Sequence, residues 1–230
     1  MINLKEGLRV GHVLIKTIRL IIGVILCGSS TVFMLNSNLG LLPWDVFHQG
    51  ISNITKMTIG QANIAVSFAI ILLSLALGEK VGIGTIVNII VIGKIIDVIN
   101  YMNIIPVSDN IFTGIVMLTI GMLVMGYGCY LYMGCGLGCG PRDSLMIGLS
   151  KKINKPVKMI KTIIEVTALI IGIILGGKFG IGTVISALGV GVFMQIIFKL
   201  NNFDAVQIKQ KSIIESFYDI KTYIYKEVRI

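Results

Sequence analysis

The sequence contains itself twice. Moving residues 40–97 forward by 98 positions, without a gap, places Gly40, Pro43, Asp45, Gly50, Ser52, Gly78, Lys80, Gly82, Ile83, Gly84, Thr85 and Gly93 on identical residues between Gly138 and Gly191. Upstream, Gly23 and Gly28 fall on Gly121 and Gly126. Most of these residues are kept for backbone geometry or charge rather than for apolarity, so a shared taste for hydrocarbon does not explain the match; an internal duplication does. The chain therefore has to fold as two copies of one unit.

Composition says where such a fold can exist. With 55% apolar and 13% charged residues in 230, and a mean hydropathy of +0.91, the chain carries more hydrocarbon than one soluble domain can cover. Windows of about 20 apolar residues, enough to cross a core of about 30 Å, recur six times. They lie near 18–37, 59–78, 83–105, 111–133, 159–177 and 181–200. The expected fold is all-α, a polytopic membrane helical bundle of six transmembrane helices. A first three-helix repeat takes 18–105 and a second takes 111–200, with an N-terminal segment 1–17 and a basic tail 201–230. Short breaks around Gly82 and Gly180 predict tight helical hairpins.

The basic residues predict orientation. Lys5, Arg9, Lys16 and Arg19 precede the first span, Arg142, Lys151, Lys152, Lys155, Lys158 and Lys161 crowd the fourth-to-fifth link, and Lys209, Lys211, Lys221, Lys226 and Arg229 follow the last span. The opposite side keeps only Lys56 and Lys178. Both termini are thus expected in the cytoplasm, and the net charge of +9 reads as topology rather than as a nucleic-acid surface. Three spans per copy is an odd number, so the second copy crosses in the opposite sense. That 3+3 inverted repeat is an architecture of many secondary transporters, and it also occurs in channels.

Two paired motifs carry the polar chemistry. Gly40-Leu41-Leu42-Pro43-Trp44-Asp45 matches Gly138-Cys139-Gly140-Pro141-Arg142-Asp143. Proline suits the first helical position and an aspartate two residues later faces the positive end of the helix dipole, so each motif is expected to start a short helix, a half-helix or re-entrant piece. Asp45 and Asp143 then either satisfy amides of their own helices or line symmetric vestibules that bind a cation, a proton or an amine. Arg142 in the second copy replaces Trp44 of the first, which predicts two unlike mouths. The second pair is Gly82-Ile83-Gly84-Thr85 and Gly180-Ile181-Gly182-Thr183. These turns either pack hairpins tightly, with Thr85 and Thr183 capping, or hold an anionic group on exposed amides.

Charges inside spans are costly unless paired. Lys94 and Asp97 share a face of the third span, and Lys161 and Glu165 stand four apart on the fifth; each pair either neutralises itself or relays an ion, with Asp97 and Glu165 as the carboxylates. His48 stands alone and is expected on an exposed loop. The tail alternates Val206, Ile213, Phe217, Ile220, Ile224 and Val228 with cations, as an amphipathic helix on an anionic membrane face would, or as a soluble tail. Cys27, Cys129, Cys135 and Cys139 sit where disulfides do not form, and two thiols without a partner histidine predict no metal site. With no nucleophile–base pair and no nucleotide loop, neither an enzyme, a cofactor nor an ATP-driven pump is expected.

The stretches Pro43-Trp44-Asp45-Val46-Phe47-His48-Gln49-Gly50, Gly82-Ile83-Gly84-Thr85 with Asn88, and Gly140-Pro141-Arg142-Asp143-Ser144-Leu145-Met146 with Gly180-Ile181-Gly182-Thr183 resemble the YczE/YyaS/YitT family of bacterial integral membrane proteins, over about residues 15–200. The resemblance implies a bacterial cytoplasmic membrane address and, for some members, a link to secondary-metabolite production. Two functions follow. One is a secondary transporter or permease for a small solute or ion, with a site built from Asp45, Asp143, Arg142, Trp44, Asp97, Glu165, Thr85 and Thr183 on the turns of Pro43, Pro141, Gly82, Gly84, Gly180 and Gly182. The other is a non-transporting scaffold or regulatory factor that docks a cytoplasmic protein partner on its basic surface. The lipid bilayer is a partner in both.

Overall fold

The computed structural model describes residues 4–204 and 208–215, with side chains from residue 14. Eight helices follow in order among them: α1 Leu4–Asn36, α2 Pro43–Thr55, α3 Ile59–Ala76, α4 Ile83–Met102, α5 Ile111–Met133, α6 Pro141–Ile153, α7 Val157–Ile174 and α8 Ile181–Leu200. Five are long and apolar enough to cross a membrane: Leu14–Asn36 within α1, then α3, α4, α5 and α8. The expectation of six spans meets a physical obstacle at α7, whose 18 residues carry Lys158, Lys161 and Glu165. Three charges within about two turns are more than a lipid-facing span tolerates, so α7 needs protein or water around them.

The short helices form where Pro43 and Pro141 set the first turn, and each ends at a left-handed residue, Lys56 or Asn154. At 13 residues each they reach only about 20 Å, too short to cross. α1 and α5 form an antiparallel spine: Gly23 lies against Gly128 and Tyr132, Gly121 against Ser30, and Gly114 against Ser37. Small residues let these backbones close up. α4 flanks α1 and α8 flanks α5, while α2 packs on α7 and α6 on α3.

Thr85 and Thr183 cap the starts of their own helices as expected, but the glycines pack across the two copies rather than within their hairpins. Gly82 and Gly84 press against Leu137, and Gly180 and Gly182 against Leu39, so each turn closes on the loop before the other copy's short helix. The bonds correspond one for one. Gly84 N donates to Leu137 O and Gly182 N to Leu39 O, both at 2.8 Å. Gly82 N donates to Thr85 Oγ1 at 3.3 Å and Gly180 N to Thr183 Oγ1 at 3.2 Å. A side chain on either Gly82 or Gly180 would strike a carbonyl, which is why these positions take glycine.

Of the tail, residues 216–230 lie outside the described residues, as do 205–207, so the expected amphipathic helix is largely untouched by the structure. Residues 208–212 form no helix. They lie across two loops, with Lys211 N donating to Gly136 O at 3.0 Å, Ile213 N to Val81 O at 2.8 Å and Gly138 N to Gln210 Oε1 at 3.0 Å.

Candidate functional site

α2 starts inside the protein and ends at its face. Trp44, in its first turn, belongs to a buried cluster with Val66, Ala168 and Leu145, whereas Gly50 two turns later meets Leu175, the C-cap of α7. α6 does the same from the opposite side: Leu145 shares that cluster, and Gly148 meets Leu77, the C-cap of α3. The two short helices therefore aim their N-terminal, partly positive ends at one interior point.

Between them lies a cavity of about 280 Å³, lined by residues from all eight helices. The vestibules expected at two opposite mouths are one chamber: Asp45, Asp143, Trp44, Arg142 and Glu165 all line it, with Lys161. The residues that occupy the same place in the two copies meet each other. Arg142 lays its guanidinium over Trp44, 5.0 Å from the ring centroid, and sets Nη2 3.8 Å from Asp45 Oδ1. Lys161 stands 3.9 Å from Glu165.

Neither aspartate caps its helix. Leu42 and Gly140 are the N-caps, without side-chain bonds. Asp45 is 3% exposed and its Oδ1 faces Arg142 and His48, while Oδ2 is buried with no hydrogen-bond partner. His48 is not on an exposed loop: it is 1% exposed, one turn after Asp45 on the same face of α2. Its Nδ1 lies 3.4 Å from Asp45 Oδ1 and 3.2 Å from Asn63 Nδ2. Nδ1 thus stands between an acceptor, the Asp45 carboxylate, and a donor, the Asn63 amide, while Nε2 has no partner. Unpaired buried polar atoms cost about 1–3 kcal/mol each, and here two stand beside a chamber.

The other expected site residues lie elsewhere. Asp97 is no partner of Lys94, which is exposed. Its carboxylate accepts from Thr58 Oγ1 at 2.6 Å and from Gly60 N at 2.9 Å, so it caps α3 and ties it to α4. Thr85 and Thr183 are buried, and their hydroxyls are engaged: Thr85 Oγ1 donates to Cys139 O at 2.5 Å, and Thr183 Oγ1 accepts from Leu41 N at 3.1 Å. Both hydroxyls close their turns. Cys135 donates to Lys16 O and Leu131 O, all four thiols are free, and the described residues place no three His, Cys, Asp or Glu side chains around a common metal position.

The chamber's polar wall also includes Asn63, Ser67, Asn88 and Tyr132, which the sequence did not single out as site residues. His48 had a signal: three residues after Asp45 it must share that helix face.

The family of unknown function DUF6198 matches residues 14–199. The chain is 34% identical over 164 residues to an uncharacterized protein of Haemophilus influenzae, covering 71% of this chain and 74% of that one. It is 33% identical over 158 residues to the uncharacterized membrane protein YczE of Bacillus subtilis, covering 68% and 73%. The uncharacterized protein YyaS of the same organism is 21% identical over 187 residues, 76% of this chain and 88% of that one. No solved structure matches.

Proposed function

The chain belongs to the family of unknown function DUF6198, and from that premise we propose that it is a secondary transporter or permease of the bacterial cytoplasmic membrane that moves a small polar solute by alternating access. The observation that carries the reading is the single polar chamber into which two oppositely placed short helices point their N-termini. Discontinuous helices that aim at a central site are how membrane carriers handle polar solutes in an apolar setting. Irregular backbone at that depth is tolerated where protein or a watery cavity covers it.

The reading takes α7 as the sixth span. Lys161 and Glu165 line the chamber, so the polar positions that would forbid a lipid-facing helix have a wet side to face. It takes the two copies as a 3+3 inverted repeat, supported by the equal bonds from Gly84 to Leu137 and from Gly182 to Leu39. It sets the loop 134–140, the tail and the N-terminus on the cytoplasmic side, because Lys151, Lys152 and Lys155 lie there. With no nucleotide loop, movement follows the solute's own gradient or a coupled ion.

The test needs no substrate. With Cys27, Cys129, Cys135 and Cys139 replaced by alanine, a single Ser67→Cys thiol on the chamber wall is challenged with a membrane-impermeant maleimide from either side of oriented vesicles. Labelling from both sides is expected. Labelling from neither side, or from one side only, overturns alternating access and leaves the docking role, whose surface would be the exposed Lys152 and Lys155.

A further inference from the structure

The chamber is rich in acid: Asp45, Asp143 and Glu165 face Arg142 and Lys161, three carboxyl groups against two basic side chains. Asp45 has its Oδ2 buried without a partner, so what holds this side chain is what meets its Oδ1.

Trp44 is the residue before Asp45, and its indole and Asp45 Oδ1 are both already engaged from the other short helix. Arg142 stacks on the indole at 5.0 Å and reaches to 3.8 Å from Asp45 Oδ1, outside hydrogen-bond range. An aromatic face next to a carboxylate is the environment that receives organic cations. A guanidinium sits in it here because the chain tethers one nearby.

We propose that the Trp44–Asp45 wall is the binding site for a small organic monocation, an alkylammonium or guanidinium group, and that Arg142 is its tethered occupant, which moves off towards Asp143 when the cation arrives. The inference rests on the chamber being a solute site. An organic cation fits better than a hard inorganic one, which wants six or more oxygen ligands, because the wall mixes the oxygens of Asn63, Ser67 and Asn88 with the indole of Trp44 and the thioethers of Met125, Met146 and Met194. An anion would meet three carboxyl groups. At about 280 Å³ the chamber lies at the small end of ligand sites, about 300–1,000 Å³, which limits the ligand to a compact amine or guanidine.

The mechanism follows from electrostatics alone. The incoming cation takes the guanidinium's place at Asp45 Oδ1 and the indole face, and like-charge repulsion drives Arg142 towards the carboxylate next to it in sequence, Asp143, at the start of α6. Occupancy on the α2 side is thereby signalled to the other short helix.

The experiment is thermal unfolding of the purified full chain with methylguanidinium or tetramethylammonium chloride, against sodium chloride at equal ionic strength. In Arg142→Ala the vacated wall should bind methylguanidinium saturably, at about a tenfold lower concentration than in the wild type, the factor set by removing one tethered competitor. Adding Trp44→Leu or Asp45→Asn to Arg142→Ala should abolish the shift. If Arg142→Ala does not fold, Arg142→Lys, which keeps the charge but loses the planar stack, should still bind methylguanidinium more tightly than the wild type. A response no greater than sodium chloride gives, or one that survives Trp44→Leu, overturns the inference. Maleimide access from both faces with no response to either cation overturns this inference alone and leaves the carrier standing.

Discussion

Gly180→Ala would put a methyl group onto the Leu39 carbonyl oxygen and 3.0 Å from its carbon. Neither atom is the end of a flexible side chain, so relief requires the loop from Ser37 to Leu42 to shift. That movement loosens the bond from Gly182 N to Leu39 O at 2.8 Å and the one from Leu41 N to Thr183 Oγ1 at 3.1 Å. Overpacking costs about 1–3 kcal/mol and each of the two bonds contributes about 0.5–1.5 kcal/mol, so the expected destabilisation is about 2–6 kcal/mol. For a chain of this size, at about 2–4 °C per kcal/mol, that lowers Tm by about 4–24 °C. Gly82→Ala, whose Cβ meets the Leu137 carbonyl oxygen, should cost the same. The single tryptophan, Trp44, reports unfolding by fluorescence in detergent. Gly191→Ala is the control, because its Cβ would enter open space and alanine favours the helix by about 1 kcal/mol. Equal Tm values for Gly180→Ala and Gly191→Ala would refute the clasp; a loss in Gly180→Ala without one in Gly82→Ala would refute its equivalence in the two copies.

Asp97→Ala should lower stability by about 2–4 kcal/mol, from two charge-assisted bonds to the start of α3, and leave methylguanidinium binding unchanged in titrations of the folded fraction. Lys94→Ala, at an exposed side chain, should change Tm by no more than about 0.5 kcal/mol allows. Burial, helped by Asp143 and Glu79, pushes the Cys139 thiol up to about 11, so its alkylation in a Cys139-only chain should be slow at neutral pH and rise about tenfold per pH unit up to that value; a plateau near pH 8.5 would contradict this. The Ser212 backbone amide, with Lys80, holds the Glu215 carboxyl below its ordinary value. Its contribution to tail docking is then present above about pH 4.3 and lost as pH falls through the lowered folded value, so limited proteolysis around Lys209 and Lys211 should increase only in that acid range.

The offset of 98 made much of this fold legible. It marks which residues are equivalent, and Pro43 and Pro141 mark where the short helices start, because a ring that fixes φ acts locally. It does not say which copy touches which. Gly82 and Gly180 look like hairpin glycines from their spacing, yet they close on Leu137 and Leu39 of the other copy. Asp45 and Asp143 look like residues of two separate mouths, yet they share a chamber. Both errors have one source: equivalent residues in a duplicated chain can face each other, and a contact between copies leaves no periodic trace in either. Asp97 was misread for a different reason, since an i, i+3 cation is a visible partner while the amide of Gly60, 37 residues upstream, is not.

The two copies differ most where few residues differ. α3 lies along α4, with Gly60 and Gly93 in backbone contact and Asp97 bonded to Thr58 and Gly60. The equivalents of Gly60 and Asp97 are Lys158 and Gln195, so in the second copy the glycine seat and the cap are both missing. α7 accordingly packs on α2 and α6 rather than along α8, and Gly191, the counterpart of Gly93, faces open space. On the alternating-access reading this is the asymmetry that a carrier with one half closed must have. α7 is then the element that moves, and it carries Lys161 and Glu165 of the chamber wall. The open position at Gly191 gives α7 a place to settle in the opposite state, through Thr162, the counterpart of Ile64, which packs on Gly93 in the closed half. On that reading the position is empty in one copy and filled in the other because the carrier uses the two arrangements in turn.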